Sequence, residues 1–290
     1  MQNMSTRILK ARHIAFLDLL GFSHRLESTP LENIHLEYAA LMDEAQSRVF
    51  DSADTSGQPN HNFAFARFLF DSLVVVSNPT EEETGALNTF KFISSVSWLL
   101  QIGIERGMPF RGCLSHGDVL DDSARGVILS PAFPELVIAE KDFNWSGAVV
   151  LPRAVEPIFA GLHNSKPDEL PQNASNFFVR YDAPTKSGNC KSWWCLNWVH
   201  LCTATSIRRG VASLNEAKQH PTREFVEFIQ ALPSQARGLP EQFRPATEVR
   251  CQTAKRGFRL LFLDESGAPV DLPDGVPFNF TFVIAAPPRP

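Results

Sequence analysis

The fold is constrained most by one apolar run near the N-terminus, His13-Ile14-Ala15-Phe16-Leu17-Asp18-Leu19-Leu20-Gly21-Phe22. Its length and the glycine near its end are typical of a buried β-strand. The run contains a single acid, Asp18, and a carboxylate buried alone in such a strand would lose its hydration without gaining a partner. The sequence therefore predicts a core strand with one charged group that needs a partner.

The segments after this run alternate between helical and strand-like patterns. Two strand-like runs, 62–70 and 73–77, are separated by Asp71 and Ser72, which is the spacing of a tight hairpin. The patterns further predict a helix over 31–50, a loop over 51–60, a helix over 81–107, strands over 110–115 and 126–129 joined by a loop with Asp118, Asp121 and Asp122, a helix over 147–162, a strand over 176–181, a helix over 221–232 and a strand over 278–284. Because helices alternate with hairpins, we expect an α+β fold with a mainly antiparallel sheet.

The amino-acid composition of the chain excludes several classes of protein. The chain has 290 residues, 43% of them hydrophobic, and a formal net charge of −5. This apolar content excludes global disorder, and the negative charge argues against a protein whose main partner is nucleic acid or an anionic membrane. The sequence has no apolar run of membrane-spanning length and begins without the pattern of a signal peptide. We therefore expect a cytoplasmic protein.

A group of cysteines could suggest a metal site. Cys190, Cys195 and Cys202 lie near His200, but their spacing fits no common zinc site. Buried thiols in a core strand are the favoured interpretation. The aromatic residues of the same region, Trp193, Trp194 and Trp198, could stack a base, although core packing is again favoured.

Asp18 and Asp71 together suggest a specific chemistry. Each interrupts apolar, strand-like sequence, and each alone could be structural, Asp18 as a helix cap and Asp71 as a turn residue. If the first strand lies beside the hairpin, both carboxylates can converge on one divalent cation, because hard cations prefer oxygen ligands. The turn at Gly21 could offer backbone amides to phosphate oxygens. These features are compatible with a metal–triphosphate site.

Four segments, in this order along the chain, resemble class III nucleotidyl cyclases. They are Phe16-Leu17-Asp18-Leu19-Leu20-Gly21-Phe22-Ser23, Phe68-Leu69-Phe70-Asp71-Ser72-Leu73-Val74, Arg111-Gly112-Cys113-Leu114-Ser115-His116-Gly117 and Asn144-Trp145-Ser146-Gly147-Ala148-Val149-Val150. The resemblance covers roughly residues 10–160. The amino-acid sequence of these segments is most similar to that of the pyrimidine cyclases of Pycsar antiphage systems.

The resemblance implies a ferredoxin-like core and a head-to-tail homodimer with composite sites at the interface. Asp18 and Asp71 would hold two Mn²⁺ or Mg²⁺ ions, with the backbone carbonyl of Leu19 as a further ligand. The turn 19–22, which comprises Leu19, Leu20, Gly21 and Phe22, would bind the substrate. Arg67 would contact the base, since its guanidinium fork can reach a pyrimidine carbonyl. The alternative for Arg67 is an outward-facing charge on an alternating strand.

The chain departs from the pattern of this family after Trp145. The following helix should carry an asparagine and, four residues later, an arginine that stabilises the transition state. Here the stretch 149–154 has no asparagine, and Arg153 lies close to the expected arginine position. Arg153 could take over the catalytic role or be an ion-paired surface residue. His116 could act as a general base, but a structural histidine at a strand end is favoured.

The resulting hypothesis is a two-part chain, with a cyclase catalytic domain over 10–185 and a C-terminal extension over 186–290. The resemblance implies conversion of UTP to 3′,5′-cyclic UMP and pyrophosphate, as a second messenger that acts on a separate effector in antiphage defence. The alternatives are a cytidylate cyclase that makes cyclic CMP, a purine cyclase, and a degenerate cyclase-like module that senses nucleotides.

Overall fold

A computed structural model describes residues 6–53, 59–80, 84–163, 177–188, 191–231, 251–253, 260–263 and 269–270. Its elements in chain order are β1 (Arg7–Leu19), α1 (Phe22–Ser28), α2 (Leu31–Ala45), which runs into a π-helical turn (Gln46–Phe50), β2 (Asp51–Ala53), β3 (Pro59–His61), β4 (Phe63–Leu69), β5 (Ser72–Ser77), α3 (Gly85–Glu105), β6 (Phe110–Asp122), β7 (Val127–Leu129), α4 (Phe133–Asp142), β8 (Gly147–Val150), α5 (Pro152–His163), β9 (Phe178–Ala183), β10 (Lys191–Leu196), a 3₁₀ turn (Val199–Leu201), α6 (Ala204–Ala212), α7 (Glu216–Ala231), β11 (Cys251–Thr253), β12 (Leu260–Leu263) and β13 (Pro269–Val270).

Eight strands form one sheet in the order β4-β5-β1-β6-β8-β10-β9, with β7 paired to β6. The pairs are antiparallel except β6–β8, which is parallel. The predicted α+β class with a mainly antiparallel sheet is confirmed. The apolar run around Ile14 belongs to β1, an interior strand between β5 and β6, and its side chains there are buried on both faces.

Helices cover both faces of the sheet. The ring of His13 lies 5.6 Å from that of Phe92 on α3, whereas Asp18 contacts Arg111, which is bound to Glu140 on α4. Odd- and even-numbered residues of a strand point to opposite faces, so α3 and α4 lie on opposite sides of β1. The helix α3 is buried along most of its length, which explains why its sequence is apolar nearly all round.

Several sequence-based boundaries were wrong. Asp118, Asp121 and Asp122 belong to β6 and not to a loop, because this strand continues to residue 122 and pairs there with β1 and β7. Residues 147–150 form the strand β8, and the predicted helix begins after them at Pro152. His116 lies inside β6, opposite His13. The predicted loop 51–60 begins and ends with the short strands β2 and β3, and the predicted strand 278–284 lies outside the described residues.

The division at residue 185 stays a prediction. One observation bears on the region beyond it: β10 pairs with both β8 and β9 in the large sheet. Cys195 and Cys202 are buried free thiols there. Among the described residues, none of the helices has the length and apolar content needed to cross a bilayer.

Candidate active site

Asp18 lies near the C-terminal end of β1, between two strands that each supply it with a partner. Its neighbour on β5 is Ser72, whose Oγ donates a hydrogen bond to Asp18 Oδ1 at 3.4 Å. Its neighbour on β6 is Arg111, whose Nη2 donates to Asp18 Oδ2 at 3.2 Å. The side chain of Asp18 is 19% exposed. Asp18 therefore has the partners that a carboxylate in an apolar strand requires. Its side chain is still partly accessible to solvent.

Arg111 is bound by a second acid on α4. Its Nε donates to Glu140 Oε1 at 2.6 Å, and its Nη1 donates to the carbonyl oxygen of Phe143 at 2.8 Å. Both charged side chains of this ion pair are more than nine-tenths buried. Each of the three guanidinium nitrogens thus has an acceptor, which is the condition under which a buried arginine is tolerated.

The surroundings of Asp18 favour its neutral form. Burial first, and then the negative charges of Glu140 and Asp71, raise the pKa of Asp18 to about 7, while the charge of Arg111 opposes this shift. Asp18 and Asp71 therefore lie close enough to feel each other's charge. A second positive charge at this point would relieve the repulsion between the acids.

Asp71 occupies the turn of the β4–β5 hairpin, directly beside β1. The backbone N–H of Leu19 donates to the carbonyl oxygen of Asp71 at 2.9 Å, which fixes the hairpin end against the end of β1. The turn consists of Phe70 and Asp71, one residue earlier than predicted. Phe70 has a φ of 60° and a 95% exposed side chain, and Tyr38 Oη donates to its carbonyl oxygen at 3.2 Å.

A cavity of about 430 Å³ opens beside Asp71, between the hairpin turn and the first two helices. Its wall contains Phe22, Leu26, Ile34, Tyr38 and Phe70. Burial and the charge of Asp71 raise the pKa of Tyr38 to about 12, so this hydroxyl stays protonated at neutral pH and can donate a hydrogen bond. The volume and the apolar wall with few polar groups are typical of small-molecule sites.

The turn that follows β1 connects the acids to this cavity. The N–H of Leu20 donates to the carbonyl oxygen of Pro109 at 2.9 Å, and Gly21 then takes a φ of 79°. This left-handed conformation suits glycine, because it carries no Cβ. Phe22 begins α1 and lines the cavity. Leu19, Leu20, Gly21 and Phe22 thus lie together with both acids.

The donor set fits a hard divalent cation. Two carboxylates whose negative charges repel each other are oxygen donors of the kind that Mg²⁺ and Mn²⁺ prefer. Among the described residues, no group of three or more acids, histidines and cysteines is arranged to hold a metal. A cation at Asp18 and Asp71 would thus take its further ligands from water or a bound substrate.

Arg67 is not brought to the two acids. Its Nη2 lies 2.8 Å from Asp121 Oδ1, and its guanidinium lies over the ring of Phe65 at 5.0 Å from the centroid. Asp121 is fully buried and is also paired with Arg7 at 2.9 Å. Within one chain Arg67 therefore neutralises a buried carboxylate at the far end of β6.

Arg153 is not brought to the two acids either. It lies in the first turn of α5, and its Nε is 3.7 Å from Glu135 Oε1 on α4. Its side chain is 48% exposed. Neither Arg67 nor Arg153 contacts Asp18 or Asp71 within the part of the chain that the structure describes.

The sequence analysis missed the buried pair Arg111 and Glu140. A usable signal was present, since Arg111 interrupts the apolar strand 109–114 just as Asp18 interrupts its own. It also missed Lys218 on α7, whose pKa is lowered by burial and then by the charges of Arg111 and Lys186, while Asp18 and Glu140 oppose this shift. The neighbouring carbonyl, that of Ala217, accepts a hydrogen bond from Asn144 Nδ2 at 3.1 Å.

Among known proteins, similarity to this chain is found only with solved structures. No protein-family profile and no curated protein matches the sequence. The adenylyl cyclase CyaB of P. aeruginosa is similar at 9% identity and a TM-score of 0.43, over 67% of this chain and 96% of that one. The catalytic core of a rhodopsin-guanylyl cyclase with converted specificity, in complex with ATPαS, matches at 12% identity and 0.39, over 66% and 98%. A bacterial light-regulated adenylyl cyclase matches at 10% identity and 0.38, over 78% and 58%.

Proposed function

We propose that this protein is a metal-dependent nucleotidyl cyclase that acts on a pyrimidine nucleoside triphosphate. The observation that carries the proposal is the junction of Asp18 and Asp71, whose strand ends are joined by the hydrogen bond from Leu19 N to Asp71 O. Asp71 lines the cavity and Asp18 lies at the adjoining strand end, so the two acids would attract a cation and the polyphosphate that accompanies it. The substrate favoured by the sequence resemblance is UTP, with CTP as the alternative.

In the proposed reaction, the ribose 3′-hydroxyl attacks the α-phosphorus of the same nucleotide, a 3′,5′-cyclic phosphodiester forms, and pyrophosphate leaves. Asp18, Asp71 and the Leu19 carbonyl would hold Mg²⁺ or Mn²⁺. A divalent cation there would lower the pKa of the attacking hydroxyl and neutralise the leaving pyrophosphate.

The chain's own residues supply positioning and fixed charge. Arg111 keeps a positive charge beside Asp18 because Glu140 and the Phe143 carbonyl hold it in place, so it needs no reorganisation during the reaction. The N–H groups of the first turn of α1 have no acceptor within that helix and can receive phosphate oxygens. The apolar cavity beside Asp71 would exclude water from the sugar and base.

The remaining parts of the proposal follow from the sequence resemblance. The active unit would be a homodimer, in which a second subunit completes each site with Arg67 or Arg153. The cyclic nucleotide would serve as a messenger to a separate effector protein in antiphage defence. The residues 10–185 would form the catalytic part, and 186–290 an extension of it.

The test is incubation of the purified protein with Mn²⁺ and, in separate reactions, ATP, GTP, CTP and UTP, followed by mass spectrometry. We expect a cyclic product from one pyrimidine triphosphate, and its loss in Asp71→Asn. The matched control is Asp43→Asn, which removes an exposed carboxylate from α2 and should leave the product unchanged. A cyclic product from Asp71→Asn at the wild-type level would overturn the assignment of the site.

A second candidate is a cyclase-like module that binds nucleotides without turning them over. The observation that favours it is the ion pair of Arg153 with Glu135, because this pairing diverts the cation from the transferring phosphoryl group. In that case none of the four triphosphates would yield a cyclic product, while a pyrimidine triphosphate would still raise the melting temperature of the protein.

A further inference from the structure

A second cavity, of about 490 Å³, lies where β8 leaves the sheet. The strand β8 pairs with β10 at Val149 and Val150, and the chain then turns into α5 at Pro152. The strand β10 continues past this point, so an opening remains between it and the start of the helix. Val150, Pro152 and Val155 form one wall of the opening, and Arg180, Trp193 and Trp194 form the other.

Arg180 gives this cavity a fixed positive charge. It lies on β9 directly opposite Trp194 on β10, and its guanidinium carbon is 5.2 Å from the centroid of the Trp194 ring. A cation over an indole face is attracted by the negative charge of the π-system, which favours this position of the guanidinium. Among the described residues, no carboxylate pairs with Arg180, which is exposed. Its charge is therefore available to an anion.

The tryptophan rings of β10 pack against other aromatic rings of the protein. Trp194 packs edge-to-face on Phe159 of α5 at 5.0 Å between ring centroids, and Trp193 packs on Phe143 in the same manner at 5.8 Å. Consecutive strand residues point to opposite faces of a sheet, so the indole of Trp193 packs on the other face of β10 from Arg180 and Trp194. The wall thus combines the rigid aromatic surface of Trp194 with one cation.

We propose that this cavity binds a nucleotide, with the phosphate on Arg180 and the base against the apolar wall formed by Val150 and Val155. Its volume lies in the range of nucleotide-sized pockets, and planar, anionic ligands match a stacked guanidinium beside an indole ring. The cavity shares no lining residue with the one beside Asp71. The proposal goes beyond the proposed function, because it assigns a second nucleotide site that does not depend on a metal.

The test is calorimetric titration of the full chain with uridine 5′-monophosphate in the presence of EDTA, which removes any contribution from metal-bound substrate. Wild type and Asp71→Asn should bind with equal affinity. Arg180→Gln should weaken binding by about tenfold or more, because a charge-assisted hydrogen bond is lost. Arg208→Gln, which removes an exposed arginine from α6, is the matched control and should bind as wild type.

Further ligands show which chemical groups of the nucleotide the cavity recognises. Uridine and inorganic phosphate should each bind at least about tenfold more weakly than the monophosphate, since each lacks one half of the recognised group. Arg180→Lys, which keeps the charge and loses the planar stack, should bind with intermediate affinity.

The proposal is overturned if Arg180→Gln binds the monophosphate as tightly as wild type while its melting temperature is unchanged. It is also overturned if phosphate alone binds as tightly as the nucleotide, which would reduce the cavity to a simple anion site, or if no nucleotide binds wild type. Failure of the proposed cyclase activity would leave this result unaffected, because binding is measured without metal and without turnover.

Discussion

Replacing His13 with glutamine should remove a large part of the acid sensitivity of this fold. His13 lies in the middle of β1 and is fully buried, with its ring 5.2 Å from that of His116 on the neighbouring strand. Its Nε2 is 3.0 Å from Thr89 Oγ1 on α3. Burial, and then the charge of His116, lower the pKa of His13 from 6.5 to about 3.

The direction and size of the effect follow from this shift. The folded state holds His13 neutral, whereas the unfolded chain takes up a proton at its ordinary pKa. His13 therefore imposes no penalty above pH 6.5, and its effect is a loss of stability as the pH falls from 6.5 towards 3. Each pH unit within this window costs about 1.4 kcal/mol, so the loss at pH 4.5 is about 2.5 kcal/mol relative to pH 7.5.

The assay is urea unfolding of wild type and His13→Gln at pH 7.5, 5.5 and 4.5. Glutamine keeps a group that can bond to Thr89, and comparing each protein with itself at pH 7.5 removes any constant loss from repacking. Wild type should lose about 2.5 kcal/mol more than His13→Gln on going to pH 4.5. His24→Gln, at an exposed position on α1, should behave as wild type. Parallel losses in wild type and His13→Gln would refute the reasoning.

Two further predictions concern the active-site strands. Glu140→Gln should lower the pKa of Asp18 below its value of about 7, because the Glu140 charge is the largest contribution after burial; a carboxyl-carbon NMR titration measures it, and an unchanged pKa would contradict the assignment. Gly112→Ala should cost about 1–3 kcal/mol of unfolding free energy, because its new Cβ would lie 2.3 Å from the carbonyl oxygen of Phe16. Gly117→Ala on the same strand would meet nothing closer than 3.8 Å, so equal losses for the two variants in urea unfolding would be evidence against this packing.

The parts of the fold that were predictable from sequence are those specified by local patterns. The apolar run around Ile14 and the hairpin before Ser77 have the composition of buried strands, and their type was correct. Asp18 and Asp71 were singled out because a charge in an apolar strand is costly, and this reasoning needs no knowledge of neighbours. The turn was misplaced by one residue because Phe70, a residue type that rarely adopts a positive φ, does so here.

The parts that were missed depend on contacts between distant segments. The run Gly147-Ala148-Val149-Val150 has no period that separates a strand from a helix, and its strand form follows from pairing with β6 and β10. Asp121 has the sequence of a loop residue, but Arg7 and Arg67, both far away in the chain, neutralise it inside a strand. The pair Arg111 and Glu140 is separated by 29 positions, so only the folded sheet brings it to Asp18.

The position of β1 between two later strands has a consequence for the synthesis of the chain. This strand is synthesised before both of its neighbours, residues 72–77 and 110–122, so its apolar faces stay uncovered until those later segments are made. Asp18 and Arg111 are 93 positions apart, which at about 5–20 residues per second corresponds to roughly 5–20 s of translation. During that interval the nascent chain exposes the apolar run of β1 together with an unneutralised acid. In the nascent strand the charge of Asp18 would oppose self-association, and in the folded protein the same carboxyl group lies beside Arg111 and Ser72.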